Sequence, residues 1–303
     1  MVLVVGGWGA KGGLSSVEML GRPSCNLSSL PFPLWGASAL YTPGGQALVC
    51  GGHHNSSRGR FYSPALCLAF AGPYQDVYRD AGQVWSWRNS SSLTREEGWA
   101  SAVVLREGSF LLGGRDRAKT SDFLPASSSS WVPGPSIPGV GARWACALPL
   151  DPHTLVVLAG DRTDQVLVFD ARTLRWTAHP LLPALPTLFS PGCALHQGRI
   201  LVSGGKLLSG RPGTSTWLVQ PSTWLVTRAG DLVQGRAKHQ LVEVKGRLVA
   251  VGGEAGRRHL ASVEEWDGEA LRWSTSSMRL REGRNGHVLL QIPGREEDFC
   301  RAG

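Results

Sequence analysis

A short apolar segment that ends in two glycines recurs along the whole chain and constrains its fold more than any other feature. The final glycines of successive copies lie 45, 62, 46, 45 and 48 residues apart. A nearly constant spacing is typical of stacked structural repeats, and here it predicts six units, one of which carries an insertion. The copies are 3–7, 48–52, 110–114, 157–160, 201–205 and 249–253, and in the fourth Ala159 replaces one glycine.

Each unit continues in the same way after its glycine pair. A second apolar segment follows, as in 166–170 and 263–267, and then come a tryptophan, a turn rich in proline, glycine and serine, and another apolar strand. This order predicts four short strands per unit, with tryptophans filling the space between adjacent sheets. Glycine pairs suit strand ends that turn sharply where a ring packs on the backbone. The tryptophans are Trp85 or Trp87, Trp131, Trp176, Trp224 and Trp273.

These phased features resemble the kelch repeat, in which an apolar run, a glycine pair and a spaced tryptophan define one four-stranded blade. The resemblance covers residues 1–303 and implies a single all-β domain, a six-bladed kelch-type β-propeller with antiparallel strands. The segment 286–292 matches the first strand of a unit, so we expect the N- and C-terminal strands to share a blade and close the ring. The units end near Gly7, Gly52, Gly114, Gly160, Gly205 and Gly253.

Charge and motifs argue against several classes of function. The formal net charge is +8, but residues 206–303 and the remainder each carry +4, so we expect a solvated, mildly basic surface rather than a nucleic-acid-binding one. No apolar run approaches the roughly 20 residues of a membrane span. We also expect no catalysis, cofactor or metal, because nucleophile and phosphate-loop motifs are missing and His53 and His54 lack ligand partners at the needed spacing.

Binding is better supported, because loops that enter the innermost strands of a propeller converge around the mouth of its channel. The resemblance implies an Arg-x-x-His segment there, and 236–239 and 284–287 match it. Two interpretations stay open. The arginines bind carboxylates or sulfates beside aromatic anchors, or they pair with local carboxylates such as Glu96, Glu97 and Glu282. The candidate partner-binding residues are Trp35, Arg95, Trp99, Arg143, Trp144, Arg236, His239, Arg284 and His287.

Cysteines and glycosylation sequons bear on the compartment. Cys50 and Cys67 fall on consecutive strands of one unit, and Cys146 and Cys193 fall on equivalent strands of successive units. Disulfides and buried free thiols are both compatible with this pattern. N-glycosylation sequons begin at Asn26, Asn55 and Asn89. The cysteines and the sequons favour an extracellular protein whose leader is missing, whereas the lack of a visible export signal favours the cytoplasm. Both compartments stay open.

The sequence therefore predicts a monomeric, non-catalytic protein-interaction module that binds its partner at a propeller face. The expected partner is a protein or acidic peptide, or an anionic glycan. The insertion within 53–83, which contains Tyr74 and Tyr78, is a second expected contact surface. The alternative from another class is a sugar-active propeller enzyme related to kelch-type oxidases or epimerases, which turnover of a sugar would reveal.

Overall fold

The computed structural model is all-β, and its described residues contain no helix long and apolar enough to cross a membrane. The described residues are 1–21, 25, 27–55, 61–62, 65–71, 86–96, 98–114, 118–139, 142, 145–159 and 162–294. In chain order the strands are β1 (Val2–Val5), β2 (Trp8–Gly9), β3 (Gly12–Gly13), β4 (Val17–Met19), β5 (Ser38–Tyr41), β6 (Ala47–Cys50), β7 (His54–Asn55), β8 (Phe61–Tyr62), β9 (Cys67–Ala71), β10 (Ser86–Asn89), β11 (Ser101–Leu105), β12 (Gly108–Leu112), β13 (Ser121–Pro125), β14 (Val132–Pro133), β15 (Cys146–Asp151), β16 (Thr154–Ala159), β17 (Arg162–Asp170), β18 (Arg175–Pro180), β19 (Gly192–His196), β20 (Arg199–Ser203), β21 (Thr216–Gln220), β22 (Leu225–Ala229), β23 (Gln240–Val244), β24 (Arg247–Val251), β25 (Glu254–Ala255), β26 (Arg258–His259), β27 (Ser262–Asp267), β28 (Arg272–Arg279) and β29 (Val288–Gln291).

Six antiparallel sheets form the blades of a propeller, which confirms the predicted fold. From the inside outwards, blade 1 is β29-β1-β4, blade 2 is β5-β6-β9-β10 and blade 3 is β11 to β14. Blades 4 and 5 are β15 to β18 and β19 to β22, and blade 6 is β23-β24-β27-β28. Each innermost strand contacts the innermost strands of both neighbouring blades, including β23 with β29 and β29 with β5. The six blades therefore make a closed ring around a channel.

The two ends of the chain lie side by side in blade 1, as predicted. β1 pairs with β29 so that Val2 is opposite Gln291. The amino group of Met1 donates a hydrogen bond to the carbonyl oxygen of Ile292 at 2.9 Å. The first and last strands thus leave no open sheet edge between them.

The glycine pairs end the second strand of a blade in a left-handed backbone conformation. Gly252 and Gly253 have φ angles of 60° and 97°. A Cβ atom on Gly252 would lie 2.8 Å from Cε1 of His287, so both the conformation and the space require glycine. Ala159 adopts the same conformation in blade 4, with a φ of 61°. The copy that lacks one glycine therefore still turns, at a backbone cost of about 1 kcal/mol.

Four of the predicted tryptophans take equivalent positions at the start of an outermost strand and pack between blades. Trp273 illustrates the contact, because its indole N–H donates a hydrogen bond to Oγ1 of Thr216 in blade 5 at 2.8 Å. The assignment of Trp224 to this position is wrong. Trp224 lies in the turn between β21 and β22 with a φ of 57°, and Val226 fills the equivalent inward position opposite Val219. The four are Trp87, Trp131, Trp176 and Trp273.

The cysteines of the described residues are in disulfides, which answers the question that the sequence left open; Cys25 is one of them, and two pairs lie wholly within the described residues. Cys50 and Cys67 are directly opposite each other on β6 and β9, within blade 2, with their Cα atoms 4.0 Å apart. Cys146 and Cys193 join β15 to β19, the innermost strands of blades 4 and 5, with their Cα atoms 6.0 Å apart. The part of the chain that the structure describes contains no free cysteine.

Candidate partner-binding site at the channel mouth

Five residues that precede innermost strands form a ring around one end of the channel, which we call the mouth ring. Their φ angles all lie between 51° and 62°. Backbone N–H groups donate round the ring from Lys238 to Ser190, from Gly286 to Lys238, from Gly36 to Gly286 and from Trp99 to Gly36, at 2.7 to 3.2 Å. Each bond joins neighbouring blades, so the ring fixes the loops at this end, which we call the mouth face. The mouth ring comprises Gly36, Trp99, Ser190, Lys238 and Gly286.

The indole of Trp99 lies across the mouth, over the two glycines of the ring. A Cβ atom on Gly36 would lie 2.6 Å from Cε2 of the indole, and one on Gly286 would lie 2.7 Å from Cη2. The ammonium group of Lys238 lies 5.7 Å from the centre of the indole and 3.1 Å from Oε2 of Glu254. The centre of the mouth face is therefore a half-buried aromatic surface beside a cation.

Arg236 and Arg284 do not face the mouth, so the expectation that they line its rim is corrected. They are 0% and 1% exposed. Arg236 forms a buried ion pair with Glu264, and Arg284 lies 2.8 Å from Oε1 of Glu18. Burial lowers the pKa of both guanidinium groups, and the two carboxylates oppose that shift. These arginines hold blades together, as in the second interpretation, but with carboxylates other than the ones expected.

The remaining predicted aromatic and arginine residues have different surroundings. Trp35 is buried and packs edge-to-face against Trp8, with ring centres 4.6 Å apart. Nε of Arg95 lies 3.5 Å from Oδ2 of Asp122, which is buried in blade 3. Arg143 and Trp144 lie outside the described residues. Among these residues only Trp99 is placed at the centre of the mouth.

His239 and His287 follow the mouth ring in blades 6 and 1 and are each 1% exposed. Nε2 of His239 lies 3.0 Å from Oγ of Ser203. Burial, with the charge of Arg284 as a second cause, lowers the pKa of His287 to about 3. Burial and the charge of Arg236 likewise hold the pKa of His239 well below its usual value. Both rings are therefore neutral packing groups beneath the mouth and add no positive charge to it.

Small side chains line the channel below the mouth ring. Blades 2, 3 and 4 contribute the segments 37–39, 100–102 and 145–147, each of which begins and ends with alanine. The cavity between them is about 240 Å³, which is smaller than the pockets that take drug-sized ligands. The channel therefore admits water and small molecules, whereas a protein partner would contact the mouth face.

Comparisons with known proteins agree with this architecture. No family model matches the chain. Mouse Kelch-like protein 35 is 35% identical over 102 residues, which cover 33% of this chain and 17% of that protein. Human Kelch-like protein 24 is 31% identical over 99 residues, covering 33% and 16% of the two chains. A solved structure of YjhT superposes with a TM-score of 0.68 at 14% identity, covering 83% of this chain and 86% of that one. The chain is a kelch-repeat propeller.

The chain spans only about a sixth of the length of these Kelch-like relatives. Their resemblance therefore bears on the repeat itself, which is a fold typical of protein-interaction modules. The structural similarity to YjhT is at too low an identity to carry an activity.

A feature of this kelch propeller that the sequence interpretation missed is the charge of the loops between the second and third strands of the blades. These loops contain ten Lys and Arg against three Asp and Glu, so they carry a net +7 of the chain's +8. The sequence alone does not make this excess of positive charge evident, because the charges are spread along the chain with only a few in each unit. We call them the doublet loops; they are 6–16, 51–66, 113–120, 160–161, 204–215 and 252–261.

Four of the doublet loops lie on the mouth face, because each forms a backbone bridge to the residue that precedes a member of the mouth ring. The bridges join Trp8 to Asn285, Trp35 to His53, Phe189 to Lys206 and Ala237 to Glu254. Glu254 is the one acidic residue among the described parts of these loops, and it already pairs with Lys238. The described cations of the doublet loops are all exposed, and they are Lys11, Lys119, Lys206, Arg211, Arg257 and Arg258.

Other predicted sites fall partly outside the described residues. Asn89 is exposed at the end of β10, whereas Asn26, the side chain of Asn55 and most of the insertion within 53–83 are not described. Within the described ranges, no group of three or more His, Cys, Asp or Glu side chains is arranged to hold a metal ion.

Proposed function

We propose that this kelch propeller is a non-catalytic interaction module that binds an acidic segment of a partner protein at its mouth face. The observation that carries the proposal is that the described parts of the doublet loops hold six exposed cations against one acidic residue, Glu254. Like charges gathered on one rigid face create a positive potential, which attracts an acidic partner and speeds its encounter with the right surface.

The mouth ring supplies the rigid centre that such an interface needs. Interfaces gain most of their affinity from a few central, well-packed residues, among which tryptophan is enriched, and a polar rim surrounds them. Trp99 is central and half-buried, Lys238 lies beside its indole, and the doublet loops contribute further exposed cations. An acidic segment with an apolar or aromatic side chain would place that side chain on Trp99 and its carboxylates on the rim.

Exposed ion pairs are individually weak, at about 0.2–1 kcal/mol each, so the rim acts through the number of its charges. Binding of this kind weakens as salt screens the exposed charges. The expected signature is therefore an affinity that requires carboxylates on the peptide, falls with salt and depends on cations of the mouth face.

Fluorescence anisotropy with a labelled peptide rich in Glu and Asp, containing one Tyr, tests the proposal. The control peptide replaces every acid by its amide. We expect binding of the acidic peptide alone, with an affinity that falls between about 50 mM and about 300 mM NaCl. Equal binding of both peptides, or binding only of a sulfated oligosaccharide, would overturn the choice of partner. Turnover of a sugar would overturn the non-catalytic assignment.

A pair of matched charge reversals locates the surface. Arg257→Glu with Arg258→Glu changes the mouth face, and Arg199→Glu with Arg247→Glu makes the same charge change at the opposite ends of second strands. We expect the first variant to weaken binding at least about tenfold and the second to change it less than about twofold. Equal losses in the two variants would mean that net charge, and not the mouth face, attracts the peptide.

A further inference from the structure

The disulfide between Cys146 and Cys193 differs from the one between Cys50 and Cys67 in its access to solvent. Both of its cysteines line the channel cavity of about 240 Å³, and Cys193 is partly exposed. Cys50 and Cys67, in contrast, are 1% and 0% exposed inside blade 2. A small molecule in the channel therefore reaches Cys146–Cys193 and not Cys50–Cys67.

In other blades, the residue at the position equivalent to Cys146 links its blade to the next one. Ser38 in blade 2 and Ser101 in blade 3 are its equivalents, two residues after the mouth-ring position. Each serine hydroxyl donates to a backbone carbonyl of the next blade, from Ser38 to Ala100 at 2.8 Å and from Ser101 to Ala145 at 3.0 Å. Cys146 continues this series of links, but its link to blade 5 is covalent.

The junction between blades 4 and 5 also has noncovalent support. Leu158 of blade 4 and Val202 of blade 5 are fully buried in one shared core cluster. The corresponding junctions of blades 2 with 3 and 3 with 4 are closed by a hydrogen bond where blade 4 has a disulfide. We therefore expect blades 4 and 5 to stay packed together when the Cys146–Cys193 disulfide is reduced.

We propose that Cys146–Cys193 is a thiol-exchange site in the channel wall that takes a low-molecular-weight thiol, and that the propeller stays folded through the exchange. The incoming thiolate attacks Sγ of Cys193, which is the more exposed of the two residues. The protein disulfide breaks, and Cys146 leaves as a thiolate that takes a proton from water. A second small thiolate attacks the small-molecule sulfur of the mixed disulfide, which releases the oxidised small molecule and leaves Cys193 as a thiolate that also takes a proton from water.

Graded reduction of the unmodified, folded chain tests this site. The protein is incubated with increasing dithiothreitol, alkylated with iodoacetamide and analysed by peptide mass spectrometry, while near-UV circular dichroism monitors the fold. We expect Cys146 and Cys193 to become alkylated at a dithiothreitol concentration at least about tenfold below that for Cys50 and Cys67, without loss of the native spectrum. Joint opening of both disulfides, earlier opening of Cys50–Cys67, or opening of Cys146–Cys193 only on unfolding would overturn the proposal.

Single variants provide an independent measurement. Cys146→Ser restores the serine of blades 2 and 3 and leaves Cys193 as a thiol, whose thiolate attacks the small disulfide cystamine and releases one cysteamine. We expect one cysteamine on Cys193 in the folded variant and none on Cys67 in the matched Cys50→Ser variant. Equal addition to both cysteines, or none to Cys193, would contradict the inference. The reductant titration decides the matter if Cys50→Ser does not fold.

Discussion

Arg236 and Glu264 form an ion pair whose side chains are only 0% and 2% exposed. The backbone carbonyl of Arg236 accepts a hydrogen bond from Gly205 in blade 5 at 2.8 Å, while its guanidinium donates to the carbonyl of Gly252 in blade 6 at 2.8 Å. Arg236 therefore ties two neighbouring blades together. Loss of one member of such a pair leaves the other charge buried without compensation.

We expect Arg236→Ala to lower the free energy of unfolding by about 3–5 kcal/mol, because Glu264 would remain buried and charged. Urea denaturation followed by tryptophan fluorescence measures this. In blade 2 the positions equivalent to Arg236 and Glu264 hold Leu34 and Leu68, which pack together in one core cluster. Two leucines can therefore replace the ion pair at these positions.

The control is the double variant Arg236→Leu with Glu264→Leu. We expect it to be more stable than Arg236→Ala, because two apolar side chains replace both charges. A loss below about 1 kcal/mol in Arg236→Ala would mean that the pair does not hold the blades together.

The sequence predicted the repeat well because glycine pairs and apolar runs record local backbone demands. It did not predict which way Arg236 points, since an arginine before a strand looks the same whether it faces solvent or a buried carboxylate. Glu264 was the available signal, because an acid inside an apolar third strand requires a partner. The positive mouth face was also missed, because its charges come together only when the blades close. Trp224 was assigned to the inter-blade position because it is a tryptophan, whereas the strand register places Val226 at that position.

The indole of Trp99 makes replacement of Gly36 more destabilising than the φ angle of Gly36 alone would. Gly36→Ala and Gly198→Ala both place alanine in a left-handed conformation, at φ angles of 61° and 72°, which costs about 1 kcal/mol. Nothing lies within 4 Å of a Cβ atom at Gly198, whereas one at Gly36 would lie 2.6 Å from the indole. We expect Gly36→Ala to lose at least about 1 kcal/mol more in thermal or urea unfolding.

A double-mutant cycle identifies the cause of that excess. In a Trp99→Ala background, the losses caused by Gly36→Ala and Gly198→Ala should become similar, because the overlapping ring is gone. An excess that persists without the indole would assign the strain to the backbone of the mouth ring.

Closure by β29 predicts that removal of residues 286–303 abolishes the cooperativity of unfolding. The deletion removes one of the two strands that pair with β1, together with the buried side chain of Leu290, and it exposes sheet edges. Differential scanning calorimetry should show a broad transition at lower temperature. Addition of the synthetic peptide 286–303 should restore a sharp transition, and the same peptide with Leu290→Asp should not. A truncated chain that melts as sharply as the full chain would contradict closure by this strand.

His287 makes the stability of the propeller sensitive to acid. Its pKa is about 3 in the folded chain, because of burial and then the charge of Arg284, against an ordinary value of 6.5. Between pH 6.5 and pH 3 the unfolded state therefore binds a proton that the folded state does not. The contribution of His287 to the free energy of unfolding is fully present above pH 6.5. It falls with decreasing pH, by up to about 1.4 kcal/mol per pH unit.

Urea denaturation between pH 7.5 and pH 5 measures this dependence, and the variant His287→Gln should flatten it because the glutamine takes up no proton. The matched control His179→Gln lies on the outermost strand of blade 4 and leaves His287 in place, so it should keep the steep dependence. His239, whose pKa burial also lowers, should retain part of the acid sensitivity in His287→Gln. Equal slopes in His287→Gln and the unmodified chain would show that protonation of His287 does not limit acid stability.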